Sequence, residues 1–206
     1  EINLSSNNIV DISPLSNLIQ LSYLDLGKNH IKDISPLASL VNLEYLSISE
    51  GKISDLTPLA SLKNIRHLGL SNIISGNLSC IGWLVTIEEL KIGGNITDIS
   101  VLSHLKELKE LTITESPLTD IAPLDTLPNL ELLNLTNNEV TDISSLASMK
   151  TLKKLYLGYN KIVDISPLSE IDTLHTLSLT NNRITDISPL LTLKNLRLLL
   201  LNDNPL

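Results

Sequence analysis

A unit of 22 residues recurs along this chain, and a recurring unit restricts the fold more tightly than any local propensity. Its clearest copy is Leu152–Ile171, LKKLYLGYNKIVDISPLSEI. Apolar residues hold the first, fourth, sixth, eleventh, fourteenth, seventeenth and twentieth places: Leu152, Leu155, Leu157, Ile162, Ile165, Leu168 and Ile171. Asn160 takes the ninth place and Asp164 the thirteenth. Neither a helical period of about 3.6 nor a long strand alternation fits this spacing. Copies start at Leu21, Leu43, Ile65, Ile87, Leu108, Leu130, Leu152, Leu174 and Leu196, after a partial copy over 1–20. One of them, 87–107, has 21 residues, because a residue is missing just after Asn95. Residues 1–206 therefore read as a single domain of about nine repeats, with both ends truncated and no caps.

The L-x-x-L-x-L-x-x-N-x-I core of the unit is the leucine-rich repeat signature. It predicts an α/β solenoid: an arc with a parallel β-sheet on its concave side and short 3₁₀ turns on its convex side. Stacked strands lie about 4.8 Å apart, so ten rungs would present a sheet roughly 45–50 Å long. Asn at the ninth place (Asn7, Asn29, Asn95, Asn138, Asn160, Asn182, Asn204) is suited to bonding backbone groups buried where the chain leaves the sheet. The D-I-S-P-L run that follows, at Asp11, Asp33, Asp164 and Asp186, reads as an Asp N-cap with Pro in the first turn.

Composition bears mainly on what to exclude. Aromatics are 2% of the chain and Phe is absent, so the interior must be built from Leu and Ile. A net charge of −8 offers no basic patch for nucleic acid and disfavours an anionic membrane surface. No apolar run approaches the roughly 18 residues of a membrane helix, so no membrane insertion is expected. Cys80 is the only cysteine, which rules out an internal disulfide.

The N-x-I-x-D-I-S-P-L tail, as in Asn160–Leu168 and Asn182–Leu190, together with the 22-residue length, resembles the internalin family of Gram-positive bacterial surface proteins. The resemblance covers essentially the whole chain. It implies a non-enzymatic, virulence-associated module that grips another protein, often a host protein, on its concave face, at the bacterial surface or outside the cell. An intracellular scaffold or enzyme regulator in the cytoplasm, and a carbohydrate or cell-wall binder, are the alternative readings. A monomer is expected.

Side chains that point out of the strands are free of core duty, and partner-binding residues are sought there. Tyr23, Tyr45 and His67 form an aromatic strip at one end. Glu89 and Glu110, with Glu88, Glu115 and Glu131 nearby, make the middle acidic. Tyr156 and Tyr159 with Lys153 and Lys154 form an aromatic and basic patch further along. Trp83 falls at a convex place within the irregular stretch 72–96 and is a possible second contact patch. No G-x-S-x-G, H-E-x-x-H, P-loop or C-x-x-C motif is present, so no catalytic residue, cofactor or metal site is assigned.

Overall fold

The computed structural model describes residues 1–206. Ten strands form one parallel sheet in chain order: β1 (Ile2–Asn3), β2 (Tyr23–Leu26), β3 (Tyr45–Ile48), β4 (His67–Ile73), β5 (Glu89–Gly94), β6 (Glu110–Thr114), β7 (Leu132–Asn134), β8 (Lys154–Tyr156), β9 (Thr176–Ser178) and β10 (Leu198–Leu200). Equivalent places pair, so Leu24 lies beside Leu46, Leu46 beside Leu68 and Leu155 beside Leu177. A short 3₁₀ turn follows every strand but the last, from Ser13–Leu15 to Ser188–Thr192. This is the leucine-rich repeat arc that the repeat pattern predicts.

The interior is one apolar cluster of 56 residues, almost all Leu and Ile, running the length of the coil. Each rung alone would expose its apolar face, so stacking is what removes these side chains from water. Asn29, Asn138, Asn160 and Asn182 are buried among them. Asn160 shows what the ninth place does. Its Nδ2 donates to the carbonyls of Leu157 and Gly158 in its own rung, at 3.0 and 3.2 Å, and to Leu135 in the preceding rung at 2.8 Å. Its Oδ1 accepts the Val140 N–H at 3.0 Å. One side chain thus ties together backbone groups of two rungs, and the Val140 N–H has no other partner.

Two local expectations need correction. Asn95 is exposed and does not join the buried Asn column, because the missing residue shifts the chain that leaves β5. From Gly51 to Ser116 the column is empty of buried Asn; there β4 and β5 lengthen, and Ile73 pairs with Gly94 past a register shift. The Asp of D-I-S-P-L is also not the N-cap. Asp11, Asp33, Asp164 and Asp186 accept the backbone N–H two residues on, at 2.8 Å each, while the cap position is the following Ile. The carboxylate closes an Asx turn that aims the chain into the 3₁₀ segment.

The eighth place holds a feature that the repeat does not announce. Lys28, Glu50, Asn72, Glu115, Asn137, Tyr159, Asn181 and Asp203 all have φ between 54° and 65°, and Gly94 has φ 128°. Every rung therefore leaves the sheet through one left-handed residue, and only one of these is glycine.

Candidate functional site

The outward face of the sheet brings Tyr23, Tyr45 and His67 together. They occupy paired places in β2, β3 and β4. The tyrosine rings are stacked, 4.3 Å between centroids and 10° from parallel, and the His67 ring is tilted 36° against Tyr45 at 6.2 Å. Desolvation, and then the adjacent Tyr45, push the Tyr23 phenol above its ordinary value. All three side chains remain half-exposed.

His67 Nδ1 faces Glu89 Oε2 at 3.0 Å, and the other Glu89 oxygen is paired with Lys91. Partial burial pushes the Glu89 carboxyl up, but the bonds from Lys91 and His67 outweigh it and leave the group below its usual range. The strip thus continues from two tyrosines through an imidazole into a bridged carboxylate. Glu110 stands beside Glu89 in register and is exposed.

The rest of the acidic middle is a different arrangement from the one expected. Glu88 Oε2 is 2.6 Å from Lys109 Nζ, its other oxygen is bonded to Arg66, and Lys153 Nζ is 2.8 Å from Glu131 Oε2. The second place of successive rungs reads Glu44, Arg66, Glu88, Lys109, Glu131, Lys153, so signs alternate along the coil. These charges largely neutralise one another.

The second proposed aromatic patch is looser. Tyr156 lies in β8 between Asn134 and Ser178 and is half-buried, and exposed Lys154 lies between Leu132 and Thr176. Tyr159 is not on the strand but in the left-handed turn after it, φ 57°, and is 52% exposed. The ring contacts of the molecule are Tyr23–Tyr45 and Tyr45–His67, so Tyr156 and Tyr159 do not pack as a pair. Lys153 is held by Glu131.

Trp83 closes the 3₁₀ turn Ile81–Trp83 on the convex side and is 70% exposed, beside a depression shared with Gly82, Val101 and His104. It is well separated in the fold from the concave residues. Cys80, just before it, is buried with Sγ 3.1 Å from the Leu56 carbonyl, and burial pushes its thiol up. No group of three or more His, Cys, Asp or Glu side chains is placed to hold a metal ion.

The sequence reading missed a shallow depression of 210 Å³ in the concave sheet, floored by Ser47, Ser49, Gly69, Ser71, Lys91, Gly93, Thr112 and Thr114. Its signal was present: the fifth and seventh places of these rungs carry almost only Ser, Gly and Thr. Search for large aromatic and charged side chains passes over a site made by small ones.

The family described as Leucine Rich repeats (2 copies) matches residues 1–39 and 128–170. No curated protein matches the chain. Among solved structures, the chain is 36% identical to an internalin of Listeria monocytogenes, InlF, with a TM-score of 0.92 over 98% of this chain and 60% of that one. It thus spans less than two thirds of that structure. It is 34% identical to internalin C2 of the same species, with a TM-score of 0.85 over 90% of this chain and 83% of that one. A leucine-rich repeat protein of Leptospira interrogans is 28% identical, with a TM-score of 0.88 over 97% of this chain and 53% of that one.

Proposed function

Because this chain belongs to the internalin family of leucine-rich repeat proteins, we propose that it is a non-enzymatic recognition segment that holds another protein against its concave sheet, outside a bacterial cell. The observation that carries this reading is the stacked, half-exposed Tyr23–Tyr45 pair continued by His67. The apolar interior does not require rings at these places, which face away from it. Aromatic side chains supply large contact area at little rotamer cost, and a sheet already formed spares the ordering entropy of binding. A host protein is the partner class that the family suggests. The stack also favours protein over sugar, since each tyrosine turns one of its faces to the other and away from a pyranose ring.

Site-specific photocrosslinking tests the reading. A benzophenone amino acid is placed at Tyr45 in one variant and at Trp83 in another, and each is exposed to host cells and to bacterial envelope. The concave variant is expected to trap a discrete protein partner that Tyr23→Ala abolishes. Crosslinks from the Trp83 variant alone, or transfer only to glycan, would overturn it.

A further inference from the structure

Gly69 sits in the middle of β4 without a structural reason for being glycine. At three other glycines the reason is plain: an added Cβ would lie 2.1 Å from the Ile31 carbonyl at Gly51, 2.9 Å from the Thr114 carbonyl at Gly93 and 2.2 Å from the Ile73 carbonyl at Gly94. At Gly69 the nearest heavy atom would be 3.8 Å away, and φ is outside the left-handed region. Glycine inside a strand weakens it and often marks a bulge, a bend or a close approach by another molecule. At Gly69 the strand is regular, paired with Ser47 and Lys91 before the register shift beyond Leu70, which leaves close approach. Gly69 is on the floor of the 210 Å³ depression, whose size suits one side chain.

The rim states the chemistry of that side chain. Lys91, the only cation lining the depression, is already bonded to Glu89. Beyond Ser49, Ser71 and Thr114 the surface continues into a second hollow lined by Glu50 and Glu115, both exposed at left-handed turns and free of ion pairs, and by Lys28 in the rung next to Glu50. Tyr45 lies on the neighbouring strand two residues before Ser47, the residue paired with Gly69. A long side chain entering here finds a floor of small side chains for its stem and carboxylates for its head.

Resting on the concave-face reading above, we propose that the depression over Gly69 receives a lysine or arginine side chain of the protein partner, presented on an extended segment. The head group is bound by Glu50 or Glu115, which stand three rungs apart in the second hollow, and the absent side chain at Gly69 is what admits the stem.

The test is selection of random peptides displayed on phage against the unmodified chain, followed by binding to Gly69→Val and to Ser178→Val, the same strand place five rungs on. Both variants are expected to melt like the parent, since valine suits a strand at an open site. Enriched peptides should share a basic residue, bind Gly69→Val at least about tenfold more weakly and bind Ser178→Val unchanged. Glu50→Gln with Glu115→Gln should reproduce the loss. Failure to enrich any peptide, enrichment without a basic residue, or full binding to Gly69→Val would overturn the proposal. Peptides that instead require Tyr156 would leave the concave reading standing while this assignment falls. Peptides that require only Trp83 would bring down both.

Discussion

The rings of Tyr23 and Tyr45 lie 4.3 Å apart and 10° from parallel, although a whole repeat of chain separates the two residues. Parallel register places them side by side, and each ring shelters one face of the other. A double-mutant cycle with Tyr23→Ala and Tyr45→Ala, read by urea unfolding, is expected to give a coupling of about 0.5–1.5 kcal/mol. A coupling of zero would mean that the stack adds nothing to the folded state and that neither ring pre-orders the other.

Tyr159 holds a left-handed conformation, φ 57°, that suits Asn or Gly better than an aromatic residue. Its equivalents Asn137 and Asn181 occupy the same place with φ 59° and 54°. Tyr159→Asn is therefore expected to raise stability by about 0.5–1 kcal/mol while weakening any partner that uses the ring. Lower stability of the variant in urea would show that the tyrosine ring supports the fold.

Two neighbours in one rung separate the apolar from the polar contribution to stacking. Leu157 is fully buried, and Leu157→Ala should cost about 2–5 kcal/mol by leaving a void. Asn160→Ala removes four hydrogen bonds but strands only the Val140 N–H, an unpaired group costing about 1–3 kcal/mol, because the Leu157, Leu135 and Gly158 carbonyls keep Asn182, Asn138 and the Asn137 N–H as donors. The Asn160 change should therefore be no more damaging than the Leu157 change, and its cost should come from the one stranded donor. Chemical denaturation of both variants checks the order.

Acid should loosen the coil through its convex edge. The N–H bonds from the residues two places on hold Asp11, Asp55, Asp98, Asp142 and Asp186 below the ordinary carboxylate value. Lys109, and then Arg66, do the same for Glu88. A carboxyl with a lower pKa in the folded chain contributes stability that is fully present above its unfolded value and lost as pH falls through the folded value. Urea midpoints should be flat from about pH 7 to about pH 5 and decline below about pH 4. Asp186→Asn, which keeps an acceptor but cannot titrate, should make that decline shallower. An unchanged slope would show that the Asx turns carry no linkage.

Several of these features were legible one repeat at a time. The apolar places, the Asn column at Asn29, Asn138, Asn160 and Asn182, and the outward position of Tyr23, Tyr45 and His67 all follow from counting within the unit. Counting failed where the unit changed or where the contact lay outside it. Asn95 holds the expected place in the count but not in space, because one missing residue shifts the exit from β5. Glu88 and Glu131 read as part of an acidic middle only while their partners, Arg66, Lys109 and Lys153, are ignored one rung away. Tyr159 was assigned to the sheet face because nothing local distinguishes the last strand residue from a left-handed turn occupied by tyrosine.

Sequence alone determined which side chains of each rung face inward, because a period repeated through the chain lets only one register bury all the leucines at once. It also determined that the opposite face would be open and studded with tyrosine. The tertiary structure decided what lies beside what: the Tyr23–Tyr45 stack, the alternating ions, the left-handed exits and the hollow over Gly69. All of these join residues about one repeat apart or are spaces that several rungs enclose together. Such contacts depend on how far each strand extends and where it turns, which backbone hydrogen bonding between rungs settles and local spacing does not.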